Sequence, residues 1–138
     1  MYEELLDYLD ALERELDDSD MQIAESKLIK DEYKNAIALI RLGAALKYYI
    51  EKEMDMSRSQ KIEYLKKMKV EYAVFLTEHR RIWMSRNKSG GIDRSMETLL
   101  KVESEINDRL RILNSGILTR SWERLKIRTI SATAAVIL

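Results

Sequence analysis

The chain of 138 residues contains no cysteine, no proline and a single histidine. Without cysteine there is no disulfide framework and no thiolate nucleophile. Zinc sites built from cysteine and histidine are excluded, and so is a di-iron bundle site, which needs paired Glu-x-x-His motifs. The sequence also lacks an apolar run of about 18 residues, so we expect no membrane-spanning helix.

Other absences concern cofactors and location. The chain has no phosphate loop, no Gly-x-Gly-x-x-Gly and no Gly-x-Ser-x-Gly motif, so we expect neither a nucleotide cofactor nor a bound metal. No apolar segment near Met1 resembles a secretory signal. Together with the missing cysteine, this is compatible with a reducing compartment, and we expect a cytoplasmic protein.

Acidic and basic residues balance overall, with 24 of each, but their distribution is uneven. Residues 1–20 carry nine acids against Arg14 alone, and residues 57–90 carry nine Lys or Arg against three Glu. One interpretation is a basic surface for an anionic partner. The other, which we prefer because the imbalances nearly cancel, is that the acidic first helix lies beside the basic third helix.

Apolar residues recur at helical spacing along most of the chain, which predicts an all-α fold. The connections between the segments are short, which favours an antiparallel helical bundle of four to five helices in one domain, residues 1–138. The apolar chain end is expected to dock on the bundle or on a neighbouring domain. The predicted helices span residues 2–17, 21–54, 60–86, 93–113 and, less regularly, 121–135.

Residues at the predicted boundaries indicate how the helices begin. Ser19 or Asp20 is expected to cap the second helix, because a side-chain oxygen there can accept bonds from the first free N–H groups. Ser57 or Ser59 is expected to cap the third helix, and Asp93 the fourth.

The sequence also indicates which parts are buried. Residues 36–50 are apolar nearly all round, so the second helix is expected to be the central and most buried one. His79 falls on the apolar side of the third helix near Trp83. A histidine of the core or of an interface is therefore expected there, rather than a metal ligand or a general base.

One stretch, at the end of the third helix, is specific enough to suggest a family. It reads Trp83-Met84-Ser85-Arg86-Asn87-Lys88-Ser89-Gly90-Gly91-Ile92-Asp93-Arg94-Ser95. It resembles the Trp-x-x-Arg-Asn-x-x-Gly-Gly-Leu-x-x-Ser segment in the C-terminal helical region of bacterial family 20 glycoside hydrolases, the β-N-acetylhexosaminidase type. Ile92 stands where leucine is usual, and Ser89 where proline is usual. The residues that match directly are Trp83, Arg86, Asn87, Gly90, Gly91 and Ser95.

This resemblance implies a helical accessory domain of a larger enzyme. In family 20 an Asp-Glu pair on a (β/α)₈ barrel carries out the reaction, with the acetamido group of the substrate as nucleophile. The chain contains neither the barrel nor that pair, so the resemblance implies no catalytic residue here. It implies packing on the catalytic barrel of the parent chain, or on a second subunit in a homodimer, with a motif that is either a structural turn or a contact at the substrate entrance.

The same motif has a physical explanation that needs no sugar. Trp83 would pack at the helix end, and Arg86 would bond the last helical carbonyls. Asn87 tolerates the left-handed conformation. Gly90 and Gly91 then reverse the chain without a steric penalty.

Three other functions stay open. One is a stand-alone helical interaction module that binds a protein or an anionic partner. Another is nucleic-acid binding by the cations around Trp83. Because Trp83 continues an apolar stripe and the net charge is zero, we expect neither a nucleic-acid partner nor a membrane. The third is a small all-helical mutase that holds a dicarboxylate inside the bundle, although the first helix lacks an arginine at the place where one would bind substrate.

Overall fold

The computed structural model describes residues 1–86 and 91–115. The predicted all-α class is confirmed there, and no described helix is both long and apolar enough to span a bilayer. The predicted fifth helix, 121–135, and the apolar chain end lie outside the described residues. The helices are α1 (Tyr2–Asp18), α2 (Ser26–Lys52), α3 (Arg58–Arg86) and α4 (Ile92–Asn114), with a 3₁₀ turn, Glu53–Asp55, after α2.

Consecutive helices run antiparallel. Tyr2 at the start of α1 stacks on Tyr48 near the end of α2, with ring centroids 4.5 Å apart. The ring of Tyr64, near the start of α3, lies 6.3 Å from that of Tyr48. Arg58 Nε, in the first turn of α3, donates to the carbonyl oxygen of Leu113 at the end of α4 over 2.8 Å. These contacts agree with the predicted antiparallel bundle.

One hydrophobic core is shared by α2, α3 and α4. Leu65 is completely buried, and the Tyr72 hydroxyl donates to the carbonyl of Leu99 across the α3–α4 contact. Burying one such leucine contributes roughly 1.5–3 kcal/mol. The principal core residues are Leu42, Leu46 and Tyr49 of α2, Leu65, Met68, Tyr72 and Phe75 of α3, and Met96, Leu99, Ile106 and Leu110 of α4.

The acidic helix α1 packs along α2, and α2 in turn packs along α3. The expectation that the acidic first helix lies beside the basic third helix is therefore wrong within this chain. The acids of α1 pair with cations of α2 instead. Arg41 Nη1 lies 2.7 Å from Asp10 and Arg41 Nη2 lies 3.2 Å from Glu13. Lys34 Nζ lies 2.5 Å from Asp17.

The second helix is central, but it is not buried all round as its composition predicts. Tyr33 is 60% exposed and Ile40 is 45% exposed. Ala36, which lies between them on the same side of the helix, is also exposed. Because α1 and α3 pack against other sides of α2, an apolar composition alone overestimates the burial of this helix.

The start of α2 differs from the prediction. The helix begins at Ser26 rather than near residue 21, and Glu25 precedes it without a side-chain capping bond. Ser19, one of the predicted caps, instead donates from Oγ to the carbonyl of Leu16 over 2.6 Å, at the end of α1. Asp20 lies six residues before Ser26 and does not cap the helix.

The starts of α3 and α4 also differ in part from the prediction made from the sequence. The Ser57 N–H donates to Gln60 Oε1 over 2.8 Å, and the Gln60 N–H donates to Ser57 Oγ over 3.3 Å. These reciprocal bonds form a capping box. Ser57 was predicted as a cap of this helix, but the contribution of Gln60 was not predicted. At α4, Gly91 occupies the N-cap position and Ile92 is the first helical residue. Asp93 therefore lies in the first turn, where the helix dipole favours an acid, and the prediction that it is the cap is wrong.

Candidate functional site

The candidate motif lies where α3 ends and α4 begins, and we name this region the turn end of the bundle. Its described members are Trp83 and Arg86 in the last turns of α3, Gly91 immediately before α4, and Ser95 in the first turns of α4. The other two, Asn87 and Gly90, lie outside the described residues.

Arg86 is bound by two carboxylates of the α2 region. Its Nε and Nη2 lie 2.6 and 2.9 Å from the two carboxylate oxygens of Glu32, and its Nη1 lies 2.6 Å from Glu25. The contact with Glu32 has the bidentate geometry that favours arginine–carboxylate pairs. The hydrogen bond from Arg86 lowers the pKa of Glu32. The expectation that Arg86 bonds the last carbonyls of α3 is wrong, because all three of its nitrogens donate to these acids.

A second arginine of α3 strengthens the same contact. Arg81 Nη2 lies 2.5 Å from Asp31 of α2, and Arg81 Nε donates to Glu78 over 2.8 Å. The hydrogen bond from Arg81 lowers the pKa of Glu78. Arg81 and Arg86 together connect the C-terminal part of α3 to the N-terminal part of α2. Sequence reasoning missed these partners, which are about 50 residues or more distant along the chain.

Ser95 belongs to a polar link that joins three helices. His79 of α3 places Nε2 3.2 Å from Ser95 Oγ of α4 and Nδ1 3.2 Å from Asn35 Nδ2 of α2. An amide nitrogen only donates, so His79 Nδ1 accepts and the proton of the neutral ring is on Nε2. The Nε2–H then donates to Ser95.

The surroundings of His79 favour its neutral form. Its ring centroid lies 5.8 Å from that of Phe75 and 6.3 Å from that of Trp83. Burial lowers the pKa of His79. The described residues contain no group of three or more His, Cys, Asp or Glu that could hold a metal ion. His79 is partly buried and connects α2, α3 and α4 through its two ring nitrogens.

Trp83 and Gly91 pack together at the turn end. Gly91 has a φ of 86°, in the left-handed region that favours glycine. A Cβ at Gly91 would lie 3.5 Å from Cζ2 of Trp83, which is ordinary van der Waals contact. The Trp83 ring is half-buried against the core, and its Nε1–H has no acceptor within residues 1–86 and 91–115. The indole is thus used in packing the turn.

The opposite end of the bundle contains a buried ionic cluster that the sequence did not predict. Glu105 is fully buried and Arg109 is 8% exposed. Arg109 Nε and Nη2 lie 3.1 and 3.0 Å from Glu105 Oε1, and its Nη1 lies 3.0 Å from Glu53 Oε2. The guanidinium lies 5.6 Å from the ring centroid of Tyr49, and burial raises the pKa of that tyrosine to about 12. The only local signal was the i,i+4 spacing of Glu105 and Arg109 beside apolar positions.

The described geometry at the turn end is that of a helix junction. The Arg86, His79 and Ser95 side chains are hydrogen-bonded across α2, α3 and α4, whereas the Trp83 Nε1–H has no acceptor within residues 1–86 and 91–115. Comparison of the chain with protein-family models, curated proteins and solved structures found no match. Inference about function therefore starts from these contacts and from the resemblance of the motif.

Proposed function

We propose that this chain is a non-catalytic helical accessory domain that acts by packing against another protein domain or subunit. The supporting observation is that the described motif residues are used inside the fold. Arg86 is held by two acids of the α2 region, Ser95 by His79, and Gly91 by contact with Trp83. A sugar would have to break these contacts to use the same groups. A structural turn is therefore better supported than a contact at a substrate entrance.

The resemblance to family 20 glycoside hydrolases suggests the partner in this proposal. The partner is a catalytic (β/α)₈ barrel of the parent chain that acts on N-acetylhexosamine-type sugars. The chemistry belongs to the barrel, and the helical domain supports it from outside. The reading frame that encodes the chain tests this part of the proposal. A frame that encodes a barrel domain supports it, and a frame without one contradicts it.

Calorimetric titration with N-acetylglucosamine tests the packing role against a direct sugar contact. We expect no heat of binding at millimolar sugar, because the motif side chains are already engaged. Arg86→Gln is the matched variant, since it removes the bidentate bond while keeping a polar side chain. Sugar binding by the unmodified chain that Arg86→Gln abolishes would overturn the packing-only role.

A specific observation favours the alternative of a stand-alone interaction module with an anionic or protein partner. Lys66, Lys69 and Arg80 are exposed on α3 and form no ion pair with any described residue. Fluorescence anisotropy with labelled DNA and RNA at low salt tests the nucleic-acid form of this idea. We expect no binding, because the acids elsewhere cancel the net charge.

A further inference from the structure

The charge imbalance along the chain is only partly neutralised inside the fold. Apart from the ends where Tyr2 meets Tyr64, α1 and α3 each pack mainly against α2, so most of the acidic excess of α1 and the basic excess of α3 face solvent. Exposed residues of α1 and α3 without an ion pair to any described residue carry mainly one sign on each helix. On α1 they are the acids Glu3, Asp7, Glu15 and Asp18 against Arg14, and on α3 they are the cations Arg58, Lys66, Lys69 and Arg80 against Glu63.

The basic face of α3 has an apolar centre. Val70 is 65% exposed and Val74 is 66% exposed, one helical turn apart on the side away from the core. Lys66 and Lys69 lie within one turn of Val70. Exposed apolar residues that are rimmed by charges mark a surface that contacts another protein. The charges indicate that this protein presents acids.

We propose that two copies of this chain associate, with α1 of each copy packing on α3 of the other. The inference rests on the proposed packing role and names a second copy as the partner of the α1 and α3 faces, beside the barrel proposed above. Each chain presents one acidic and one basic face, so a second copy complements both at once. A purely acidic partner would satisfy α3 and leave the acids of α1 unpaired.

Symmetry decides how the copies meet. A twofold axis parallel to the helices places α1 of one copy opposite α3 of the other, in two equivalent contacts. A twofold axis across the helices places α1 on α1 and α3 on α3, where like charges repel. Both α1 and α3 run antiparallel to α2, so in the favoured arrangement the paired helices are parallel. Because Tyr2 and Tyr64 both lie beside Tyr48, residues 7–18 of one copy then run alongside about residues 69–80 of the other.

Charge reversal tests the two contacts separately. The variant Lys66→Glu/Lys69→Glu makes the face of α3 acidic, and Asp7→Lys/Glu15→Lys makes the face of α1 basic. None of these four residues forms an ion pair with a described residue, so the fold should persist, which circular dichroism checks. Light scattering after size exclusion at low salt measures the mass. We expect the unmodified chain to be a dimer and each variant alone to be a monomer.

An equimolar mixture of the two variants is the decisive sample. Each of its two contacts again joins opposite charges, so the dimer mass should return. In about 1 M salt, where the Debye length is about 3 Å, all of these dimers should weaken. The control Arg94→Glu/Lys101→Glu makes the same charge change on exposed positions of α4, which neither contact uses, and should stay dimeric.

Two results would overturn the self-association. One is an unmodified chain that is monomeric at low salt, and the other is a mixture of variants that stays monomeric. The sugar titration tests the packing role separately from either result, because that measurement does not depend on dimerisation. Sugar binding with intact dimers would instead contradict the packing role and retain the self-association.

Discussion

Arg86 and Arg109 each bind two carboxylates, at opposite ends of the same bundle, but they do so in different surroundings. The side chain of Arg86 is 34% exposed, and its partners Glu25 and Glu32 are 64% and 34% exposed. The side chain of Arg109 is 9% exposed, and its partner Glu105 is completely buried. The hydrogen-bond distances in the two clusters are similar, but we expect the clusters to contribute differently to the free energy of unfolding.

The difference follows from solvation. When an exposed ion pair forms, each charged group gives up contacts with water for contact with its partner, and dissolved salt weakens the attraction between them. A buried pair has lost its water, so removing one partner leaves a charge that neither water nor protein solvates. We therefore expect the buried cluster to control the stability of the fold, and the turn end to make contacts that are easier to exchange.

Arg109→Ala should have the largest effect in this comparison. It removes the guanidinium that contacts Oε1 of the buried Glu105, and breaking a comparable buried pair costs about 3–5 kcal/mol of unfolding free energy. Urea denaturation measures this loss. Lys101→Ala is the control, because it removes one cation from an exposed pair on the same helix and should change little.

The double variant Arg109→Met/Glu105→Leu sharpens this result. Replacing a buried pair by apolar residues of similar size is often neutral, so much of the loss should be recovered. A double variant as unstable as Arg109→Ala would show that lost packing, rather than the broken ion pair, causes the destabilisation.

Gly91→Ala should have the next largest effect, at the turn end. Its φ of 86° costs a residue with a Cβ about 1–2 kcal/mol. The new methyl group would only touch Trp83, so backbone strain should account for most of the change. Gly91→Asn is the matched variant, since asparagine visits the left-handed region more readily and should lose less stability than alanine. Thermal denaturation of both variants measures this difference, and equal destabilisation would contradict it.

The spacing of apolar residues and the short connections predicted the four described helices and their antiparallel order, because these features determine both. Local pattern also predicted that Trp83 packs at the turn. It did not predict which acids bind Arg86, since Glu25 and Glu32 are distant in sequence and the rotation of α2 against α3 decides the pairing. For the same reason, charge composition alone wrongly paired α1 with α3.

The buried cluster was missed for a different reason. An acid and an arginine at i,i+4, such as Glu105 and Arg109, ordinarily lie on a solvated helix face. Only the tertiary structure shows that this pair lies beneath Tyr49. The role of Ser95 was hidden in the same way, because its partner His79 is on another helix.

The polar link at His79 should make the turn end sensitive to acid. Burial lowers the folded pKa of His79 below its ordinary value of 6.5. The unfolded chain therefore binds the proton more readily, and stability falls as the pH drops through 6.5 to the folded pKa. Protonation would also put a donor opposite the Asn35 amide. Denaturation midpoints between pH 7.5 and pH 5, from about neutral to mildly acidic, measure this decline.

Two variants separate this titration from general acid effects. His79→Gln removes the titrating group, so the decline near its pKa should become smaller. Asn35→Asp puts a carboxylate against Nδ1, which raises the pKa of His79. The loss of stability on acidification should then shift in pH, or stability should rise instead as the pH drops. An unchanged pH profile in both variants would show that His79 does not control the acid response.

Arg86→Gln should have the smallest effect, because its pairs are exposed. We expect a slight fall in the melting temperature at low salt that vanishes at high salt, where the unmodified chain has also lost the benefit of the pair. The same contribution should disappear as the pH falls, since Arg86 lowers the pKa of Glu32 and a protonated Glu32 no longer pairs with it. Thermal scans at two salt concentrations measure both trends. A loss as large as that of Arg109→Ala, and insensitive to salt, would mean that Arg86 is shielded from water in the assembled protein, and the turn end would then belong to the packing surface itself.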